Sequence, residues 1–137
     1  MTTKIKATWQ NDSIFLAEDE RGGKALLGGE GIYPMQMLLV SLAGCTGVDV
    51  VNILKKKRAK LHDLRVEVSG ERADTHPKVY TDIHVSYLLW GEGLKKKDVE
   101  QAIELSEEKY CSVSAMLRST AKIHSDYQIY ETEENND

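Results

Sequence analysis

Two cysteines, Cys45 and Cys111, are the only thiols in this chain of 137 residues, and 66 positions separate them. A widely spaced pair in a chain without export signals argues against a disulfide framework and for reduced or redox-active thiols. A reactive cysteine needs its pKa lowered from about 8.5 by a cation, a helix N-terminus or hydrogen bonds. Arg21 and Lys24, in and just after an N-terminal turn, are the candidate cations; their other reading is ordinary solvated surface charge. The four histidines, His62, His76, His84 and His124, show with the cysteines no metal-ligand spacing, so neither a metal centre nor a cofactor is expected. A Cys/His nucleophile dyad has no local signature here.

Cys45 sits near the centre of a run over residues 34–60 that reads as one long helix. Pro34 presets φ at the first turn, good helix formers follow, and Lys55, Lys56, Lys57 and Arg58 meet the negative C-terminal end. Apolar residues fall on nearly every side, the mark of a helix that is buried or spans a membrane. Gln36, Ser41, Thr46, Asp49 and Asn52 weigh against the membrane, since Asp alone costs about 2.5–3.5 kcal/mol at mid-bilayer. A thin polar stripe, Ser41, Cys45, Asp49, Asn52 and Lys56, shares one face. Gly44 and Gly47 beside the thiol each cost roughly 1 kcal/mol against Ala in a helix interior. Either they leave room for a pocket, or they let another helix approach and Cys45 is a small buried hydrophobe.

The elements around that helix alternate by period. Residues 4–10 alternate as a half-buried strand, 13–17 return as its hairpin partner, and 24–27 form a short third strand before the glycine-rich loop 28–31. That loop lacks the Lys-Ser/Thr of a phosphate-binding loop and reads as a connector. Beyond the central helix, strands over 64–71 and 79–90 form an antiparallel pair. A second helix covers 97–110, with Val99, Ala102, Ile103, Ser106 and Tyr110 along one flank. Cys111 follows it, then a short helix through Leu117 and a last strand over 121–130. This order predicts an α+β fold in a single domain over residues 1–130, with antiparallel sheets packed around a long buried central helix. Residues 131–137 read as a disordered acidic tail. The chain has too few elements to cover so apolar a helix, which predicts a homodimer with the two helices near its axis.

Without that tail, 18 acidic residues balance 18 basic ones, so neither nucleic acid nor an anionic membrane is an expected partner. The lysine-rich end of the central helix reads as a solvated C-terminus. No charged-then-apolar leader opens the sequence, which predicts a cytoplasmic protein.

Pro34-Met35-Gln36-Met37-Leu38, then Ala43-Gly44-Cys45 in a buried helix, and the second cysteine in the run from Glu107 to Ser114 together resemble the OsmC/Ohr family of osmotically induced and organic-hydroperoxide-resistance proteins. The likeness covers residues 4–130. It implies an OsmC-like fold in an interlocked homodimer and a thiol peroxidase that reduces organic hydroperoxides, with a lipoyl-type dithiol as reductant. By position Cys45 would attack, Cys111 would resolve the sulfenic acid as a disulfide, and Arg21 would stabilise the thiolate. Two features depart from the family's peroxidases. Met35 stands where they carry a glutamate that pairs with the arginine, and Glu108 and Ser112 stand near Cys111 where they tend to carry His and Pro. The alternative is a non-catalytic thiol protein, a redox sensor or small-molecule binder. Apolar surroundings of Cys45 suit an alkyl or aryl peroxide better than hydrogen peroxide.

Overall fold

The computed structural model describes residues 1–132. The acidic residues beyond them, and with them most of the expected disordered tail, lie outside the described residues. Two compact units make up the chain, one over Met1–Leu38 and one from Leu39 onward.

The first unit is an antiparallel meander of β1 (Ile5–Asn11), β2 (Ile14–Asp19) and β3 (Lys24–Leu27) in the order β1-β2-β3. Asp12, at φ 43°, closes the first hairpin in the left-handed region that Asp tolerates. The period-2 pattern of β1 forms the strand, yet it does not half-bury it. Ile5 and Trp9 are both 63% exposed, because nothing in this unit covers the apolar side of an edge strand. The unit ends in the first turn of α1 (Pro34–Lys56).

The second unit holds the rest of α1, then β4 (Lys60–Arg72), β5 (Tyr80–Glu92), α2 (Lys96–Leu105), a π-helical turn (Ser106–Tyr110), α3 (Ser112–Leu117) and β6 (Lys122–Glu131). β5 is the middle strand of the order β4-β5-β6 and carries the core: Ile83, Val85, Tyr87 and Leu89 are all fully buried. Their period of two places one face inward, as the sequence indicates. The antiparallel β4/β5 pair sets Val66 opposite Tyr87 and Val68 opposite Val85. β6 departs from the all-antiparallel expectation and runs parallel to β5. The reason is the connection: a crossover through α2, the π turn and α3 returns the chain to the end of the sheet from which β5 started. On the other face of β5, the parallel register sets Trp90 against Tyr130, whose rings stack at 5.1 Å, and Arg65 lies over Trp90. β6 runs on to Glu131, whose carboxylate accepts from the Gly93 N–H at 3.0 Å, so Glu131 belongs to the strand rather than the tail.

α1 ends at Lys56, four residues before the sequence pattern suggests. Arg58 takes φ 60°, its N–H bonds to the Lys55 carbonyl, and the Ala59 N–H reaches back to Leu54 at 3.0 Å. These are the two bonds of a Schellman stop. Arginine occupies the position that glycine usually marks, which hid the stop. Four residues of the helix are buried, Leu42, Thr46, Val50 and Leu54, at spacings of four. Val40 and Val48 remain 47% and 60% exposed, so in the single chain the helix is covered along one line only. Among the described residues, α1 is the one helix long and apolar enough to cross a membrane, but its buried line faces protein and includes Thr46.

Candidate active site

The second unit brings the two cysteines together. Cys111 follows the π turn, and its thiol hydrogen-bonds to Cys45 on α1; both are free. Cys45 is half-buried and Cys111 is 3% exposed. Three local features set this up. A π turn inserts one residue into the helical repeat, so the Cys111 N–H bonds to the Ser106 carbonyl at 2.7 Å, five residues back. That extra residue also turns Tyr110 outward to 53% exposure, although a regular helix would place it on the inner flank. Ser106, fully buried, donates to Asp49 Oδ2 at 2.9 Å and lies 3.5 Å from the Thr46 carbonyl. One serine therefore ties the turn that carries Cys111 to the face of α1 that carries Cys45. Finally, Cys111 caps α3, its sulfur accepting from the Ser114 N–H at 3.3 Å.

Burial, above all, pushes the Cys111 thiol up to about 11, and its hydrogen bond to Cys45 adds to the rise, while the Ser114 N–H offsets part of it. Cys111 is therefore a protonated thiol at neutral pH. Its alkylation by iodoacetamide, followed by peptide mass mapping, should rise about tenfold per pH unit from 7 to 10, since only the thiolate reacts. A rate that levels off below pH 9 would contradict this environment.

Arg21 and Lys24 belong to the first unit. The Arg21 side chain is 88% exposed and rests on Asp19, Nη2 to Oδ2 at 3.0 Å; this bond and the N–H groups of Gly23 and Arg21 hold the Asp19 carboxyl below its usual range. Lys24 opens β3.

Several polar groups beside the thiols belong to the site although the sequence pattern does not single them out. Tyr87, the largest fully buried side chain, donates to Glu107 Oε1 at 2.9 Å and also hydrogen-bonds Thr46. Ser125 donates to Glu107 Oε2 at 3.1 Å, and the buried Ser114 hydroxyl to the Glu107 carbonyl at 3.1 Å. The available signal was that Tyr87, Ser106 and Ser125 all fall on inward flanks, where a polar group needs a partner. His62, His84 and His124 pair with Glu92, Asp126 and Asp82 instead of with a thiol. Among the described residues no group of three or more His, Cys, Asp or Glu is arranged to hold a metal ion.

A groove of about 820 Å³ runs along the other side of α1 between Val40, Gly44, Val48 and Val51 and the β4 residues Leu64 and Val66. Neither cysteine lines it. The gap left by the glycines is thus a groove of its own rather than a pocket over the thiol. A Cβ on Gly44 would meet nothing within 4 Å.

Residues 27–126 match the family model described as OsmC-like protein, and this span takes in both cysteines and the elements that join them. The chain belongs to the OsmC-like family. Protein YhfA of Escherichia coli is 35% identical over 133 residues, which cover 94% of this chain and 98% of YhfA. A hypothetical protein from Aquifex aeolicus has the same fold, with a TM-score of 0.90 at 34% identity over 97% of this chain and 99% of that one. An organic hydroperoxide resistance protein OsmC from Legionella pneumophila shares the fold more distantly, at TM-score 0.67 and 18% identity over 93% and 96% of the two chains. Met35 is the second residue of α1.

Proposed function

We propose that this OsmC-like chain is a cytoplasmic, homodimeric thiol peroxidase for organic hydroperoxides. The observation that carries the reading is the contact between a half-buried Cys45 and a buried, protonated Cys111. The Cys45 sulfur attacks the terminal oxygen of ROOH, the O–O bond breaks, and ROH leaves with a proton. Cys45 is then a sulfenic acid. Cys111 attacks that sulfur, an S–S bond forms, and the hydroxyl departs as water. A dithiol of the lipoyl type takes the oxidation onto itself and restores both thiols. Catalytic consumption of cumene hydroperoxide with dihydrolipoamide tests this, and turnover should exceed that with hydrogen peroxide. Consumption no faster than the dithiol alone would overturn it.

Arg21 is proposed as the cation that stabilises the attacking thiolate. Its exposed pair with Asp19 is easily released. Arg21→Ala should slow the first reaction of Cys45 by roughly tenfold, the effect of losing about 1.4 kcal/mol of charge stabilisation. An unchanged rate assigns the role elsewhere.

The homodimer rests on α1. A second copy laid on the groove would cover Val40, Val48 and Val51, and the bare Gly44 lets a backbone come close. Sedimentation should give twice the 15.4 kDa chain mass, and Val48→Glu should give the monomer. A wild-type monomer at micromolar concentration would end this part of the reading.

Met35 favours a second reading. It is neutral and cannot hold an arginine by an ion pair. A redox sensor or small-molecule binder built on the same dithiol would form the disulfide once and would not turn over.

A further inference from the structure

Charges that balance along the chain are sorted by the fold. Eight of its 18 lysines and arginines fall in two short runs, Lys55 to Lys60 and Lys95 to Lys97, and both runs sit at one end of the second unit. The Lys57 ammonium joins them: it donates to Gln101 on α2 and lies 3.8 Å from Asp98 in the first turn of that helix. The stop at Arg58 then turns the chain into β4, whose first residue, Lys60, pairs with Glu92 at the end of β5. Gly91 permits that close approach, since a Cβ there would strike the Lys60 carbonyl. The other seven cations are exposed. The acids around them are already engaged. Asp98 faces Lys57, Glu92 pairs with His62 at 3.1 Å, Asp63 accepts from the Leu64 N–H at 2.9 Å and Glu131 from the Gly93 N–H.

The outer face of the same sheet adds aromatic rings. In the rows that lead to Lys60, Arg65 stands opposite Leu88, Asp63 opposite Trp90, and Trp90 beside Tyr130. Arg65 lies 5.5 Å over the Trp90 ring, and Trp90 stacks on Tyr130 at 5.1 Å and 18°, so the three form one stack that ends at the outer strand, β6. Tyr130, its last ring, is 39% exposed. Same-face rows lie about 7 Å apart, so an arginine, an aromatic pair and a lysine follow one another within about 14 Å. The Thr132 N–H donates to the Gly91 carbonyl at 2.9 Å, and Lys96 shares a recess with Tyr127, Gln128 and Ile129, which sets the start of α2 beside the Tyr130 end of β6. We propose that this end of the second unit binds single-stranded nucleic acid, with phosphates on the lysines and a base stacked on Tyr130. Cations alone would take any polyanion, whereas an open ring beside them suits a strand whose bases are unpaired and each have a stacking face. A duplex keeps its bases stacked on one another and has none to offer Tyr130. The inference goes beyond the proposed function and uses neither thiol.

Fluorescence anisotropy of a labelled oligothymidine of roughly 12 nucleotides, within the site sizes of such surfaces, tests this on the reduced full chain. The signal should rise and saturate with micromolar protein at about 50 mM salt, and affinity should fall as salt rises to about 200 mM. Lys95→Gln, Lys96→Gln and Lys97→Gln together should weaken binding and flatten the slope of log affinity on log salt by about 2, since each phosphate neutralised on a single strand contributes about 0.7. Tyr130→Ala should weaken binding roughly tenfold with the slope unchanged, the scale of one lost base stack, and Tyr130→Phe should bind like the wild type. Competition on the wild type decides the matter even if Tyr130→Ala does not fold. An unlabelled single strand should displace the probe roughly tenfold better than a duplex of the same length, polyglutamate or vesicles containing phosphatidylserine. Equal displacement by any of these three, no saturable rise in anisotropy, or a folded Tyr130→Ala with wild-type affinity would overturn the inference.

Discussion

Cys45→Ser should lower the rate of peroxide-driven thiol loss by about a thousandfold or more, the scale seen when an enzyme loses its nucleophile. Cys111→Ser should behave differently. It keeps the attacking thiol, so one equivalent of cumene hydroperoxide is consumed and then the reaction stops, with a sulfenic acid on Cys45 that dimedone traps. The asymmetry follows from where the two sulfurs sit. Cys45 is half-buried on a helix face, whereas Cys111 is 3% exposed, protonated up to about pH 11 and hydrogen-bonded to Cys45. A buried thiol meets a peroxide poorly but is placed to meet Cys45 once that sulfur is oxidised. Equal losses in the two variants would mean that the pair does not divide the work in this order.

The second large effect is on stability. Leu54→Ala should cost about 2–5 kcal/mol in urea unfolding, the range for a fully buried leucine whose site does not collapse. Leu54 is the last of the buried line on α1 and lies more than two turns from Cys45, so the loss should appear as stability before chemistry. Val48→Ala on the exposed side of the same helix should cost under about 0.5 kcal/mol in a monomer. In a dimer that buries Val48 the cost should exceed that figure, and the wild-type midpoint should rise with protein concentration. The pair of substitutions therefore reads both the core and the second copy.

Most elements were legible because their signals are local. Pro34 marks the start of α1, and Lys24–Leu27 is the third strand as its alternation indicates. The odd-numbered residues of β5 from Ile83 to Leu89 are the core that their period predicts. What escaped depends on geometry that spacing does not encode. A Schellman stop with arginine in the glycine position shortens α1. The π turn has no composition of its own, yet it turns Tyr110 out and delivers Cys111 to Cys45. The parallel setting of β6 follows from the crossover. At the site, the cysteines were visible as the only thiols, while Glu107 looked like one more surface acid. Only the three hydroxyls that converge on it, from β5, α3 and β6, distinguish it.

The most direct test of the central claim is intact mass with a free-thiol count after reduced protein meets one equivalent of cumene hydroperoxide, or of hydrogen peroxide, for the wild type and for Cys45→Ser. The expected result is rapid loss of both thiols in the wild type, a mass lower by two hydrogens, a faster reaction with the organic peroxide, and no such loss in Cys45→Ser. Two surviving thiols, or thiols that react no faster than free cysteine, would contradict the account and leave an OsmC-like fold that keeps its dithiol without the peroxidase chemistry.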